Sequence, residues 1–259
     1  FLNIFVMKKR IIFKLYYQEN NFYLSRNFNL QKVGDINWLY KYFNFKKITD
    51  VIDELVILNV ERNKKNKILN SDFIKNVKKL TEKTFIPLTI GGGINTLEKV
   101  KQCFSLGAEK ILFNTSIKDK KLIKLCVNQY GSQAIICSID FKTIKDRLVT
   151  YTDNGEKEFL NVKQHINLGK KLKFGEIFIN NIDRDGTGFG VDAKIYEYLD
   201  LRIPYVIGGG AAKYQHFIEG FENKTISGIS TGNLFNFIGD GLRNLRVNLI
   251  KSNINLRKL

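Results

Sequence analysis

The chain has 259 residues, 44% of them hydrophobic, with a net charge of +17 and three cysteines. This length suits one domain with a sizeable core, and no apolar run approaches the roughly 18–20 residues of a membrane-spanning helix. The cysteines, Cys103, Cys126 and Cys137, are odd in number and fall inside apolar patterns. They therefore predict reduced, buried thiols in a cytoplasmic protein.

The positive charge is not clustered in the way that is typical of nucleic-acid-binding proteins. The lysines are scattered among asparagines and isoleucines, and no basic run is interleaved with aromatic residues. We therefore expect neither a nucleic-acid partner nor a membrane partner. An anionic substrate would account for part of the charge, and a solvated lysine surface for the rest.

Short β-rich segments alternate with amphipathic segments along the chain, which is the pattern of a parallel sheet with crossover helices. The predicted strands are 10–15, 53–59, 86–90, 110–114, 134–140, 176–182, 204–208 and 227–231. The predicted helices are 71–83, 97–106, 119–129, 160–172, 192–200, 213–221 and 234–250. We expect an N-terminal extension over 1–7, one barrel over 8–252 and a tail over 253–259.

The two halves of this pattern repeat one another. Three segments return in the same order, 10–13 as 134–137, 54–59 as 176–181, and 90–94 (IGGGI) as 207–211 (IGGGA). A repeat of about 120 residues is far longer than a solenoid unit and matches half of an eight-stranded barrel. The predicted fold class is α/β, a single (β/α)8 TIM barrel with a two-fold half-barrel repeat.

Chemistry in such barrels lies on the loops that follow the strands. The glycine triplets at 91–93 and 208–210 each follow a strand and precede a helix, so their backbone N–H groups can form a concave phosphate site. The next strand of each half ends in small polar residues, at 114–116 and 230–233. The repeat therefore predicts a ligand with two phosphates, although a glycine triplet can also be only a tight turn.

Residues 182–187 (IDRDGT), both triplets and residues 131–134 (GSQA) resemble the HisF family, the cyclase subunit of imidazole glycerol phosphate synthase. The resemblance runs from about Lys9 to Phe237. It implies a HisH-type glutaminase partner docked on the N-terminal face of the barrel, ammonia passing through the barrel, and a phosphorylated small-molecule substrate at the opposite face. It assigns substrate or phosphate binding to Gly93, Asn114, Thr115, Asp185, Gly186, Gly210, Gly232 and Asn233.

The family also has a ring of charged residues where ammonia enters. The matching positions here are Arg10, Glu54, Lys110 and Glu176. Burying four charges costs several kcal/mol per ion unless they pair well, so stability alone gives little reason for such a ring. The ring therefore predicts an ammonia gate, with an ordinary ion-paired plug as the alternative.

The family's reaction uses two aspartates, and only the strand-five residue, Asp140, is present. Tyr16 occupies the strand-one position. Because the pKa of a tyrosine is near 10, it cannot act as a carboxylate base at neutral pH. It can donate a proton or only line the pocket. If Arg10 points into the barrel, strand alternation also points Lys14 and Tyr16 inward. Burial lowers the pKa of a lysine, so we predict Lys14 as a catalytic base or nucleophile, or as an internal ion pair with Asp140.

Two further positions depart from the cyclase, with Asn59 in place of an aspartate and Leu24 in place of a lysine. Neither His165 nor His216 belongs to a metal-ligand pattern, and each is expected on the surface or in a helix. We expect no metal and no cofactor.

Residues 22–35 resemble a branch of the family found with surface-polysaccharide genes. That branch is associated with adding an acetamidino group to a nucleotide-linked sugar, with ammonia from a glutaminase and with a third amidating protein. We therefore predict an ammonia-channelling barrel subunit diverged toward sugar acetamidination. The alternatives are the histidine-pathway cyclase itself, with Tyr16 tolerated or inactivating, and a non-catalytic scaffold that activates the glutaminase.

Overall fold

A computed structural model describes residues 8–42, 50–61, 69–82, 85–232 and 241–257. Its strands are β1 (Arg10–Gln18), β2 (Asn21–Arg26), β3 (Asn29–Gly34), β4 (Glu54–Asn59), β5 (Leu88–Gly91), β6 (Lys110–Phe113), β7 (Ile135–Ile144), β8 (Arg147–Thr152), β9 (Lys157–Asn161), β10 (Glu176–Asn181), β11 (Tyr205–Gly208) and β12 (Ile226–Thr231). Eight of them pair in parallel as a closed ring in the order β1-β4-β5-β6-β7-β10-β11-β12, and β12 returns to β1. The (β/α)8 barrel is confirmed, and all eight predicted strands belong to it.

Helices cover the outside of the ring. They are α1 (Ile36–Tyr42), α2 (Ser71–Thr81), α3 (Leu97–Ser105), α4 (Lys120–Tyr130), α5 (Val162–Lys171), α6 (Tyr214–Glu222) and α7 (Gly241–Lys251). The helix predicted over 192–200 is present over Ala193–Tyr198, as a 3-10 helix and not an α-helix. The segment between its N-cap, Asp192, and the end at Leu199 is shorter than two α-helical turns, a length at which the tighter helix is common.

Two antiparallel extensions at the C-terminal end of the barrel were not predicted. Strand β1 runs on past the ring and folds back as β2 and β3, and β7 runs on into β8 and β9. The tight turns contain non-glycine residues with positive φ, among them Asn27 and Phe28 at the tip of the β2–β3 hairpin. These two hairpins form part of the wall of the barrel mouth.

The strands alternate between an outer apolar core and the barrel interior, as their period of two requires. Ile11, Phe13 and Leu15 of β1 face the helices, whereas Ile12 faces the interior. Inside the ring one apolar layer is formed by six side chains, Ile12, Val56, Leu112, Ile136, Phe178 and Val206. Gly228 of β12 lies against this layer without a side chain, and a Cβ there would lie 2.8 Å from Ile12 Cδ1.

The C-terminal segment forms hydrogen bonds with the residue that precedes β1. Lys9 bridges Leu256, and Arg246 of α7 donates to the buried Asp53 and to the carbonyl of Arg257. Residues 1–7 lie outside the described residues, so the predicted division into extension, barrel and tail stays a prediction.

The three cysteines are free and buried, as expected, and burial raises the pKa of each thiol. Within the described segments, no helix has both the length and the apolar composition that crossing a membrane requires.

Candidate functional site

The four predicted ring residues meet at the N-terminal end of the barrel interior. Arg10 Nη1 lies 2.7 Å from Glu54 Oε2, and Lys110 Nζ lies 3.0 Å from the same atom. Glu176 pairs with both bases, at 3.2 Å from Lys110 Nζ and in closer contact with Arg10. Burial alone would raise the pKa of Glu176, but the facing guanidinium and ammonium groups hold it below its usual range. Glu176 therefore stays ionised at neutral pH.

Two hydroxyl groups also contact the charged ring. The sequence repeat did not indicate either of them. Thr89 Oγ1 donates to Glu54 at 2.6 Å, and Ser227 Oγ donates to Glu176 at 2.9 Å. Thr89 thereby satisfies a carboxylate oxygen that has no other donor among the described residues, whereas Ser227 adds a second donor to the Glu176 oxygen that Arg10 also contacts. The apolar layer of the interior lies directly above the ring.

Lys14 occupies the next layer up. Its Nζ donates to Asn180 Oδ1 at 3.0 Å and pairs with Asp185 Oδ1 at 3.2 Å, and it lies 5.0 Å from the centre of the Tyr16 ring. The predicted ion pair with Asp140 is wrong, because the partner is Asp185. Strand β10 and the loop after it bring Asn180 and Asp185 opposite β1 across the barrel, a proximity that sequence spacing does not reveal.

The predicted lowering of the Lys14 pKa is also wrong. Burial acts in that direction, but the carboxylate of Asp185 and the nearby Tyr16 and Asp140 outweigh it and raise the pKa above its ordinary value. Lys14 is therefore a permanent cation at neutral pH. A general base or amine nucleophile must lose that proton, so the geometry favours an electrostatic role over the predicted one.

Asp140 is the carboxyl group best placed for acid–base chemistry. Burial raises its pKa to about 7, with Lys14 lowering it and Asp185 raising it further. Asn114 Nδ2 donates to Asp140 Oδ2 at 3.2 Å and so holds the carboxyl in place. A group with this pKa is present in both protonation states near neutral pH, as a general acid or base requires.

Tyr16 carries no negative charge at neutral pH. Burial and the neighbouring aspartates raise the pKa of its hydroxyl, which stays protonated at neutral pH. The side chain lines the cavity at the barrel mouth beside Lys14. Nearby, Leu24 is buried on β2 and Asn59 is buried at the end of β4.

The first glycine triplet opens into a cavity of about 470 Å³ at the C-terminal end of the barrel. Its polar lining comes from strand ends and turns and includes Gly92, Gly93, Asn95, Asn114, Thr115, Asp140, Asp153 and Asn154. Its apolar wall includes Phe28, Leu30, Phe113 and Phe178. The structure thus brings the first set of predicted phosphate residues to one cavity, and it adds the β8–β9 turn, whose Asp153 N–H donates to Thr115 Oγ1 at 2.9 Å.

The second set of predicted residues lies in a different environment. Asp185, Gly186, Gly210 and Gly232 line a separate space of about 20 Å³. Gly210 is buried, and a Cβ there would lie 2.2 Å from the carbonyl of Gly190. Asn233 lies outside the described residues. The two halves of the repeat, alike in sequence, therefore differ in access.

Comparison with known proteins agrees with this geometry. The model of the histidine biosynthesis protein family matches residues 30–239. This chain belongs to that family and is of the HisF type.

Among the relatives of this HisF-type chain is a protein of Parasynechococcus marenigrum (strain WH8102) named "Putative imidazole glycerol phosphate synthase subunit hisF2". It is 39% identical over 240 residues, which is 91% of this chain and 88% of the relative. Imidazole glycerol phosphate synthase subunit HisF of Chlorobium phaeobacteroides (strain BS1) is 31% identical over 97% of this chain and 100% of the relative. Imidazole glycerol phosphate synthase subunit HisF of Chloroherpeton thalassium (strain ATCC 35110 / GB-78) is 31% identical over 88% of this chain and 90% of the relative.

Other chemistry has less support in this HisF-type barrel. Among the described residues, no group of three histidines, cysteines or acids is arranged to hold a metal ion. His165 lies in α5 and is buried against Thr150, and His216 lies in α6. Both are helix residues, one of the two environments expected for them.

Proposed function

We propose that this chain is the barrel subunit of a glutamine-dependent amidotransferase. It receives ammonia from a HisH-type glutaminase docked on the N-terminal face and passes it through the barrel interior to a phosphorylated small molecule in the 470 Å³ cavity. The acceptor we propose is a nucleotide-linked sugar that gains an acetamidino group in surface-polysaccharide synthesis, with a third amidating protein as a further partner.

The order of layers along the barrel axis carries this proposal. A ring of two acids and two bases at the N-terminal end leads to six apolar side chains and then to the polar cavity. An uncharged molecule such as ammonia crosses an apolar layer at far lower cost than an ammonium ion does. A charged ring kept at the entrance, where burial costs several kcal/mol per ion, is better explained by transport than by stability.

The cavity supports group transfer at the end of that path. Asp140, with a pKa of about 7, can take up a proton as ammonia attacks and return one to a leaving group. The ammonium of Lys14 borders the same cavity and offers an attractive charge to a phosphorylated ligand. The backbone turn at Gly92 and Gly93 offers N–H groups to a phosphate.

Divergence from the histidine-pathway reaction is supported by what surrounds Asp140. Lys14 and Tyr16 fill the space where the cyclase reaction needs a second carboxylate. Leu24 and Asn59 depart from the cyclase as well. The match to the protein named hisF2, at 39% identity, also exceeds those to the proteins named HisF.

The proposal is tested with the purified chain and a HisH-type glutaminase. We expect a 1:1 complex in which glutamine hydrolysis rises by at least tenfold over the glutaminase alone. The bis-phosphorylated histidine-pathway intermediate with ammonium salt should show no turnover. Absence of a complex at micromolar concentrations would contradict the amidotransferase role.

The runner-up function is the histidine-pathway cyclase, which the retained Asp140 and charged ring favour. Turnover of the histidine-pathway intermediate by the unmodified chain would establish it and overturn the sugar assignment. The double variant Tyr16→Asp/Lys14→Cys supplies the missing carboxylate and removes both bulky interior side chains. If these residues account for the divergence, it should gain measurable cyclase activity over the unmodified chain.

A further inference from the structure

Two strongly exposed apolar side chains lie on the N-terminal face of the barrel. Phe85 precedes β5 and is 99% exposed, and Leu201 precedes β11 and is 79% exposed. Strands β5 and β11 are four places apart in the closed ring of eight, so the two side chains lie on opposite sides of the barrel axis. A single exposed apolar residue is common on a protein surface and needs no explanation, but a matched pair does.

The internal repeat relates the two loops that carry these side chains. Residues 86–87 (IP) before β5 return as 203–204 (IP) before β11, at the same spacing as the two glycine triplets, and they contain both prolines of the chain. Proline fixes its own φ and restricts the residue before it to an extended conformation. The isoleucine of each pair packs inward against the outer core. The residues just ahead of the two isoleucines, Phe85 and Leu201 among them, are therefore carried on stiff segments.

The two prolines also connect these loops to the charged ring. The carbonyl of Pro87 accepts from the backbone N–H of Leu55 at 2.9 Å, and the carbonyl of Pro204 accepts from that of Ile177 at 3.1 Å. The two donors directly follow the two acids of the ring, one in β4 and one in β10. A partner that contacts both exposed side chains therefore spans the charged ring.

The turn at Leu201 is braced by an acidic side chain. Asp200 Oδ1 accepts from Arg202 N–H at 3.0 Å, and Asp200 Oδ2 accepts from Arg202 Nη2 at 2.8 Å and from Lys170. Leu201 lies between the two bonded residues, at the tip of the turn. A side chain on a backbone that is already fixed loses less conformational freedom on binding than one on a loose loop.

We infer that Phe85 and Leu201 are two anchors on which the glutaminase docks, one on each side of the charged ring. The partner is a globular subunit with an apolar recess for each side chain, because an anchor contributes most in a pocket that excludes water. Contact on both sides holds the partner over the ring, so that ammonia enters the barrel and not the solvent. The net charge of +17 disfavours a second copy of this chain as the occupant. This inference rests on the proposed amidotransferase function, which supplies the partner.

Four exposed residues provide the variants. Phe85→Ser and Leu201→Ser remove the anchors one at a time. The matched controls are Phe189→Ser, 75% exposed in the loop after β10 at the opposite face, and Leu125→Ser, 54% exposed on α4. Thermal unfolding checks that each variant keeps the fold, and Phe85→Gln or Leu201→Gln takes the place of a serine variant that unfolds.

The experiment is a calorimetric titration of the full chain with a HisH-type glutaminase, followed by glutamine hydrolysis at rising concentrations of the chain. Phe85→Ser and Leu201→Ser should each weaken binding by about tenfold or more, whereas both controls should stay within about twofold of the unmodified chain. The concentration of chain that gives half-maximal activation should rise with the Kd. Maximal activation should be unchanged, because the ring and the barrel interior are intact.

Binding of both anchor variants within about twofold of the unmodified chain, an effect of only one anchor, or an equal loss in Phe189→Ser would overturn the inference and leave the proposed function standing. Sedimentation of the chain alone tests the other occupant. A dimer that is lost in the double variant Phe85→Ser/Leu201→Ser would assign this face to a second copy and overturn the inference. Absence of any complex between the unmodified chain and the glutaminase would overturn the inference and the proposed function together.

Discussion

Asp140 is a buried carboxyl whose protonation depends on two charged neighbours. Burial raises its pKa to about 7, the ammonium of Lys14 opposes that rise, and Asp185 adds to it. The sequence predicts that Asp140 and Lys14 both point inward, because strand alternation is a local property. It does not predict Asn180 or Asp185 as the partners of Lys14, because those contacts cross the barrel interior between strands that are not adjacent in the ring.

Replacing Lys14 by methionine should raise the pKa of Asp140 above 7. Methionine keeps the length and most of the volume of lysine but removes the positive charge that favours the carboxylate. The measurement is a pH titration of the Asp140 carboxyl carbon by NMR, with the exposed helix variant Leu125→Ala as control. A pKa unchanged from that of the unmodified chain would mean that Lys14 and Asp140 are not electrostatically coupled.

Asp140→Asn should stabilise the chain, and more so at pH 8 than at pH 5. The folded-state pKa of Asp140 lies above its unfolded value, so its contribution to stability is fully present below about pH 4 and is lost as pH rises through about 7. Above pH 7 the native protein holds a buried carboxylate at a cost, and the amide removes that cost, giving a gain of about 1–2 kcal/mol in the free energy of unfolding.

Urea denaturation at the two pH values measures this difference. A gain that is equal at both would show that the variant acts through packing and not through charge. The same variant should lose amidotransferase activity, because the proton acceptor is gone.

At the scale of elements, the apolar composition of the sequence predicts the ring strands but does not predict the two hairpins. Each of the eight ring strands lies within a few residues of its predicted range, since buried parallel strands are nearly continuous apolar runs. Strands β2 and β3 contain polar residues, and their pairing begins only where β1 leaves the ring. Their position is therefore fixed by contacts at the barrel mouth, such as those of Asn27, and not by a pattern within the segment.

Asn27→Ala should loosen the β2–β3 hairpin. Asn27 N–H donates to the carbonyl of Asp185 at 2.8 Å, and its side chain donates to the carbonyls of Asp183 and Ile182. Its φ of 51° lies in the left-handed region, which asparagine tolerates better than alanine. We expect a loss of about 1 kcal/mol in the free energy of unfolding and faster amide hydrogen exchange across β2 and β3.

Asn27→Gly is the matched control, because glycine accepts the positive φ but cannot make the side-chain hydrogen bonds. If the hydrogen bonds hold the hairpin, exchange should rise in both variants. If only alanine raises exchange, backbone strain is the cause and the hydrogen bonds contribute little.

At the scale of the whole molecule, the charged ring joins strands that are distant in the chain. Arg10, Glu54, Lys110 and Glu176 come from β1, β4, β6 and β10. All four can be predicted from the sequence through the family resemblance. The contacts of Thr89 and Ser227 with this ring could not be predicted from the sequence. Nothing in the local sequence distinguishes a hydroxyl that faces a charged ring from one that faces water.

Glu176→Gln should destabilise the chain by about 2–4 kcal/mol, because Arg10 and Lys110 are left with one carboxylate between them. The pKa of Glu176 is lowered in the fold, so its contribution is present above its unfolded pKa and is lost as pH falls below about 4. The variant should therefore differ from the unmodified chain at pH 7 and approach it in stability under acid conditions.

Lys110→Met in the Glu176→Gln background restores the balance of charge. The loss in the free energy of unfolding of the double variant should be smaller than the sum of the losses of Glu176→Gln and Lys110→Met measured separately. Urea denaturation at pH 7 is measured for the unmodified chain, for Glu176→Gln, for Lys110→Met and for the double variant. Strict additivity would show that the ring residues contribute independently.

The division of charge within the ring bears on how the two half-barrels recognise each other. The first half contributes two bases and one acid, Arg10, Lys110 and Glu54, whereas the second contributes the acid Glu176 and the hydroxyl of Ser227. A barrel assembled from two copies of either half would bury an excess of one sign at its base. Fragments divided near Gly131 and produced together should therefore assemble as a mixed pair in preference to like pairs, because only the mixed pair balances the charges of the ring.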